Sequence, residues 1–352
     1  MVKLLEIGCT GSPVNERSTV QDVARKAGVH ASTVSRALNP ATRHRLSAEV
    51  ATRVIAAAAE MGYVPNGLAA SLRTRRSETI GVMLPDITNP VFPPILQGLE
   101  TVLAADSYVA MVANAGADPD RQRLVVERLL ARQVDGLVLA TVTRHDAIVD
   151  LCLRAGVPVV VVNRSETDHR VSSVVSDDVR GMQLAVDHLH GLGHRRIGHI
   201  GGPQNLSTGK GRLEGFAAAM TAHALTPPSA DIVLASAFTR EAGREAGFRL
   251  LECSPDITAV VAANDLLALG LYDVLHALGL SCPGHLSVVG HNDMPFVDLV
   301  WPPLTTVRIR HREMGEQAAQ LLLRLVRGET EGGVDVVLKP DLVVRASTAA
   351  PR

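Results

Sequence analysis

Between residues 31 and 39 the chain sets two hydroxyls, a guanidinium and a carboxamide at Ser32, Ser35, Arg36 and Asn39. At helical spacing these fall, with Ala31, on one side of a short stretch whose other side, Val34, Ala37 and Leu38, is apolar. Donors and acceptors on one face of a slim helix suit base edges and phosphate oxygens in a DNA major groove. Other chemistry does not assemble. No Ser, Cys or Lys nucleophile has a base in a recognisable frame. Gly191-Leu192-Gly193 and Gly198 with Gly201-Gly202 flank an expected strand, yet no dinucleotide fingerprint forms. Asp187, His188, His190, His194 and His199 are metal-ligand types, but they straddle a helix, a turn and a strand, so no metal is expected. Cys9, Cys152, Cys253 and Cys282 lack paired spacing, which indicates neither disulfides nor zinc. The expected chemistry is recognition, with no cofactor.

The elements that would position the polar face are legible. Thr19 can cap a first helix, with Asp22 in its first turn, and Val20, Val23, Ala24 and Ala27 form its apolar side. Gly28 allows a sharp turn and Val29 plugs the corner before the second helix. Ser47 can cap a third helix carrying the stripe Val50, Val54, Ile55, Ala58 and Met61, ended by Gly62. From Glu78 apolar strands alternate with amphipathic helices. Strands are expected at 79–84, 108–112, 136–140, 157–162, 196–200, 231–234, 259–263 and 286–289, with helices such as 119–132, 180–192 and 266–278 between. About eight such units predict two doubly wound subdomains, α/β in class, with ligands bound at the strand C-termini.

Charge is distributed unevenly over the 352 residues, whose net charge is −1. Residues 1–76 hold 11 Lys and Arg against 5 Asp and Glu, and the remainder 24 against 31. A basic head on an acidic body assigns a polyanionic partner to the head. Residues 5–9 faintly match a lipoprotein cleavage box, but one basic residue and no apolar run precede them, so export is not expected. No run approaches a membrane span, and the reading is a cytoplasmic protein without membrane contact.

The exact wording of the head carries more. Asp22-Val23-Ala24, Ala27-Gly28-Val29, Thr33-Val34-Ser35-Arg36 and Leu38-Asn39 resemble the N-terminal signature of the lactose/galactose-repressor (LacI/GalR) family of bacterial transcription regulators. The resemblance extends over nearly all of residues 18–347, and through the family to periplasmic sugar-binding proteins. It implies base reading by Ala31, Ser32 and Arg36, where Arg36 can grip a guanine bidentately and Ala31 offers a methyl group. It implies phosphate contacts from Thr19, Thr33, Ser35 and Asn39. Residues 63–72 match the family's hinge helix, with Asn66, Ala69 and Leu72 toward the minor groove and Leu72 as the wedge between base pairs. For the effector it implies Asn89 and Phe92 at the cleft mouth, Thr208 and Arg212 as contacts, Phe238 as a stacking ring, and Asn264 and Asn292 at strand ends; Asn264 has the helix-capping role open to it as well. Two departures stand out: His30 replaces the usual Ser, and Asn292 the usual Asp, which puts the usual polyol ligand in doubt. Leu206 stands where the purine-binding member has arginine, which argues against a purine with an anionic edge.

The resulting expectation is a repressor that binds a near-palindromic double-stranded operator as a homodimer under control of a small, sugar-like effector. Its parts would be an extension at 1–17, a helix-turn-helix domain at 18–64 and a hinge at 65–77. The N-terminal subdomain would take 78–176 plus 311–333, the C-terminal one 177–310 plus 334–346, and a tail 347–352. The alternative is a solute-binding protein without DNA-linked regulation, against which the basic head argues. An enzyme on the same scaffold has no catalytic constellation behind it.

Overall fold

The structure, a computed structural model, describes residues 18–64, 76–330 and 333–352, in two compact units divided after Ser77. The first unit is helical. α1 (Val20–Ala27) opens with a reciprocal cap: the Asp22 N–H donates to Thr19 Oγ1 (3.3 Å) and the Thr19 N–H to the Asp22 carboxylate (3.0 Å). It ends at Gly28, whose φ of 63° is the left-handed turn that glycine adopts without strain. α2 (Ala31–Leu38) starts from His30, whose Nδ1 accepts the Ser32 N–H at 3.3 Å, so histidine performs the serine's task here. A single turn, α3 (Pro40–Arg43), was not expected. α4 (Ala48–Glu60) begins at Ser47, whose hydroxyl accepts the Val50 N–H.

Val23, Ala24, Ala27, Val34, Ala37, Val54, Ala57 and Ala58 form the core of this unit. One residue of the expected stripe is corrected: Ile55 is exposed, and Ala57 takes its place. From Val54 the inward positions are three, four and seven residues on, which selects Ala57, Ala58 and Met61 and turns Ile55 about 100° away.

The second unit holds two six-stranded sheets. The first contains β1 (Thr79–Leu84), β2 (Val109–Asn114), β3 (Gly136–Leu139), β4 (Val159–Val162), β5 (Ser172–Ser176) and β11 (Asp335–Leu338), in the order β11-β5-β4-β3-β1-β2 and parallel throughout. The second contains β6 (Ile197–Gly201), β7 (Ile232–Leu234), β8 (Ala259–Ala262), β9 (Ser287–Asn292), β10 (Thr305–Arg308) and β12 (Asp341–Val343), in the order β12-β10-β9-β8-β6-β7. It is parallel except for β12, which pairs antiparallel with β10. Completely buried central strands such as Val159–Val162 and Ala259–Ala262 read as continuous apolar runs because helices cover both faces.

Those helices are α5 (Phe92–Ala105), α6 (Pro119–Ala131), α7 (Ala147–Arg154), α8 (Asp178–Gly191), α9 (Ser207–Ala222), α10 (Arg240–Cys253), α11 (Asp265–Ala277) and α12 (His311–Arg327). The pairs α5–α12, α8–α9 and α10–α11 pack most closely. α5 and α12 touch through Gly98 and Gly315, where a Cβ would overlap the carbonyls of Arg312 and Ile95 respectively.

The chain passes between sheets three times: from β5 into α8, from β10 into α12, and from β11 to β12. This corrects one expected boundary. Residues 335–338, assigned to the C-terminal subdomain, pair with Ser173–Ser176 in the first sheet. The Asp335 carboxylate accepts the Ser173 hydroxyl (2.5 Å), and Ser172 Oγ accepts the Val334 N–H (3.2 Å), which anchors the returning strand there. No helix among the described residues is long and apolar enough to cross a membrane.

Candidate functional site

Two regions collect the candidate residues. In the helical unit, Ser32 and Arg36 are exposed on α2, while Ala31, Thr33, Ser35 and Asn39 are half-buried. Ala31 leans on the core and so is less open than its outward assignment suggested. Ser35 Oγ donates back to the Ala31 carbonyl at 3.3 Å. The Thr19 hydroxyl donates to Asp22 (2.6 Å), so its first duty is the helix cap. The ion pairs among the described residues of this unit, Arg25–Asp22, Lys26–Glu60 and Arg53–Glu49, leave Arg36 out. Arg43 donates to the Ala37 carbonyl (2.8 Å) and fastens the turn after α2. α2 therefore presents one long cation and a hydroxyl from a surface made rigid behind them. Asn66, Ala69 and Leu72 lie outside the described residues.

In the second unit the strand C-termini of both sheets end in loops that meet. The Arg144 N–H, after β3, donates to the Asn205 carbonyl (3.0 Å), and the Ser165 N–H, after β4, donates to Ser207 Oγ (2.9 Å). Behind this seam lies Arg212, 3% exposed, on α9. Its Nε donates to Asp178 (2.9 Å), its Nη1 to the Ala263 carbonyl (2.7 Å), and its guanidinium lies 5.8 Å from the centre of the Phe238 ring. Gly202 makes room for that ring, since a Cβ there would overlap it.

Thr208, buried, stands one turn before Arg212 on the same helix. Asn264 adjoins Ala263, and its Oδ1 accepts the Leu267 N–H (2.9 Å), so it caps α11. Asn292, buried at φ 116°, accepts from His291 Nδ1 (3.1 Å), and His291 Nε2 approaches Asp178 at 3.8 Å. The Arg212 guanidinium thus meets Phe238 and the Ala263 carbonyl directly, Asn264 follows that carbonyl in the chain, Thr208 stands one turn away on the same helix, and Asn292 connects to it through His291 and Asp178. Asn89 and Phe92 stand at the start of α5. Asn89 accepts the Val91 N–H (3.1 Å) at the entry to α5, and Phe92, 2% exposed, packs in the hydrophobic core. Phe92 is the first residue of a helix whose apolar side faces inward, and burial of a ring outweighs its display in a loop.

Burial dominates the electrostatics around Arg212. His199 and His311 are pushed down to about 4, and His291 falls well below the ordinary range, in each case by desolvation with Arg212 adding repulsion. The three rings are therefore neutral near pH 7. Burial raises the Asp178 carboxyl while Arg212 opposes it. Asp265 rises to about 7 by burial, tempered by bonds from the Thr306 hydroxyl (2.5 Å) and the Met294 N–H (2.8 Å). Arg164, just past β4, drops to about 10 through burial and the repulsion of Arg212.

Sequence reasoning did not single out Asp178, Arg164 or His311, and named His291 only as the neighbour of Asn292 at a strand end. For Arg164 a signal existed: it follows an apolar strand by two residues, at the end where such sheets bind ligands. For Asp178 there was none, because its partner lies 34 positions away. The histidines of the metal-like set take separate partners: His188 bonds Thr348, His194 bonds Thr258 and the Ala349 carbonyl, and His199 bonds the Val261 carbonyl.

Comparison with known proteins agrees with this layout. Residues 19–66 match the family "Bacterial regulatory proteins, lacI family", and residues 186–348 match "Periplasmic binding protein-like domain". The chain is 32% identical to the HTH-type transcriptional regulator DegA of Bacillus subtilis (strain 168), over 95% of this chain and 98% of that one. Among solved structures it is similar to a lac repressor dimer bound to operator and the anti-inducer ONPF (TM-score 0.85, 28% identity, 95% of this chain and 100% of that one). It is also similar to a transcriptional regulator CelR–cellobiose complex (TM-score 0.73, 32% identity, 94% and 100%). With a capped helix pair ahead of a twin-sheet body, and a relative matched from end to end, the chain belongs to the lacI family of bacterial regulatory proteins and is a DNA-binding transcriptional regulator.

Proposed function

We propose that this regulator is a repressor that binds a near-palindromic operator as a homodimer and is controlled by a sugar-like effector held between the two sheets, without catalysing a reaction. The observation that carries the reading is the Arg212 guanidinium, held between the Phe238 ring, the Ala263 carbonyl and Asp178, near a seam of two hydrogen bonds joining the loops of the two sheets; Thr208, Asn264 and Asn292 complete the proposed site. A guanidinium and two amides offer donors and acceptors to hydroxyls, and an aromatic ring covers an apolar sugar face. The relatives support it, since one was solved with cellobiose and another on an operator.

In this reading Ala31, Ser32 and Arg36 meet bases, and Thr19, Thr33, Ser35 and Asn39 meet phosphates. Asn66, Ala69 and Leu72 enter the minor groove. Two copies present two recognition helices to two half-sites. The effector acts by binding one arrangement of the subdomains more tightly than the other, which shifts the population competent for operator. The subdomains we assign are 78–176 with 311–338 and 177–310 with 339–346.

A gel shift on the gene's upstream region across a salt series tests the DNA half. Specific retention that weakens steeply with salt is expected. No retention at any salt would favour the solute-binding alternative.

A further inference from the structure

We propose that His30 fixes the polarity with which Ser32 meets its base, so that Ser32 accepts a hydrogen bond and selects an exocyclic amine, of adenine or cytosine, in the major groove. The proposal rests on the reading that Ser32 is a base contact. Its support lies in the first turn of α2. The Ser32 N–H donates to His30 Nδ1 at 3.3 Å, and a backbone N–H can only donate. Nδ1 therefore presents a lone pair, and the proton of the neutral ring sits on Nε2. The Ser32 hydroxyl stands 2.9 Å from the same Nδ1. A ring nitrogen without a proton can only accept, so in this contact the hydroxyl donates. The one proton of the Ser32 hydroxyl is thus spent inside the protein. What the exposed residue offers outward is the lone pairs of its oxygen.

The neighbouring side chains of α2 divide the remaining roles. Ser35 Oγ donates back to the Ala31 carbonyl (3.3 Å), so its proton too is turned toward the protein. Arg36 is exposed, and a guanidinium has no acceptor. The helix therefore carries a pure donor at Arg36 and, one turn earlier, an acceptor at Ser32.

These two groups call for opposite partners in the groove. Guanine shows two acceptors there, O6 and N7, and thymine shows O4; the donors are the amines on adenine C6 and cytosine C4. A keto oxygen against Ser32 would set lone pair against lone pair until the bond to His30 breaks. His30 acts through Ser32 in this scheme, as a positioning residue, and its exchange for the family's usual serine changes what the helix reads.

The test uses the full chain and an operator recovered by selection from random duplexes. Single half-site substitutions are compared by competitive gel shift at mildly alkaline pH. The base pair whose preference disappears in Ser32→Ala is the one that Ser32 reads. At that pair, purine in place of adenine, or pyrimidin-2-one in place of cytosine, deletes only the amine. In one half-site this deletion should weaken wild-type binding about fivefold and Ser32→Ala binding little. His30→Gly keeps a tolerated cap and frees the hydroxyl to donate, so the penalty should shrink toward none. His30→Asn, whose amide oxygen can take both Ser32 hydrogens, should keep it. Nitrogen NMR of the DNA-free protein should find the His30 proton on Nε2.

The proposal fails if amine deletion costs wild type nothing at the pair that Ser32 reads; the base-contact reading would then survive. It fails together with that reading if Ser32→Ala alters no position. A full penalty in His30→Gly would show that Ser32 accepts without help from His30, and a proton found on Nδ1 would overturn the polarity itself. A uniform loss on all sequences in His30→Gly, with the amine penalty intact, would leave His30 a helix cap alone and likewise sink the proposal.

Discussion

Single residues carry three separable expectations. Arg36 is exposed, left out of the ion pairs among the described residues of its unit, and set on a helix capped at its start, so its guanidinium is available to a base edge. Arg36→Ala should cost about 1–3 kcal/mol on the operator and little on random DNA, read by parallel gel shifts. Equal loss on both would make it a phosphate contact. Arg212 has two duties, since it neutralises the half-enclosed Asp178 as well as facing the cleft. Arg212→Ala should therefore lower effector affinity at least tenfold and also destabilise the body, by roughly 3–5 kcal/mol if the stranded carboxylate stays buried. Adding Asp178→Leu should recover melting temperature and not affinity, which separates the two duties. His199 supplies a pH signature. Its folded pKa of about 4 lies below the ordinary 6.5, so its contribution is whole above about 6.5 and is lost as pH falls through 4. The loss by pH 5 is on the order of 2 kcal/mol. Asp265, raised from 3.8 to about 7, works in the opposite sense across the same window. His199→Phe, which can keep the stack on Phe216, should shift the slope of melting temperature between pH 7 and 5 toward greater stability at pH 5 than wild type, whatever the wild-type slope. An unchanged slope would show that His199 does not titrate there.

At the scale of elements, glycine at a helix contact gives the sharpest forecast. Gly98→Ala would drive a methyl into the Arg312 carbonyl and should destabilise the body by at least 1–3 kcal/mol, measured by urea unfolding. Gly191→Ala, at the open end of α8 with nothing near its Cβ position, should be neutral or slightly stabilising. Matching losses would mean that flexibility, not packing, matters at Gly98. The elements also show where sequence is legible. The capped helices and the buried strands were readable because their signals are local: Thr19 with Asp22, Gly28, and runs such as Val159–Val162. β5 and β10 were missed because they carry Ser172, Ser173, Thr305 and Thr306, polar residues buried at 3% exposure or less. Their hydroxyls find partners such as Asp335, Asp265 and the Val334 N–H, which only the assembled sheets bring into place. The candidate site divides the same way. Arg212 and Phe238 stood out by motif, whereas Asp178 matters through Arg212, a partner that only the fold supplies.

The whole molecule is two bodies of unequal strength. The core of the helical unit consists of three valines and five alanines, whereas the body buries Phe92, Phe216, Ile80, Met83, Leu84, Ile95 and many more completely. Small domains bury a lower fraction of their surface, and stability is a narrow margin between large terms. The head should therefore melt first, and calorimetry of the full chain should resolve two transitions. Each ligand then identifies its own body, because a ligand stabilises what it binds by RT ln(1 + [L]/Kd). In the absence of DNA, a sugar-like effector at a hundredfold its Kd should raise the upper transition by roughly 2.7 kcal/mol and leave the lower one in place. Operator DNA without effector should raise the lower transition, and more in low salt than in high, as expected for a head with 11 Lys and Arg against 5 Asp and Glu. A fragment beginning at Glu78 should show the upper transition alone, with effector affinity unchanged. One merged transition that both ligands move together would mean that head and body fold as a single cooperative unit, and the division of labour between them would have to be redrawn.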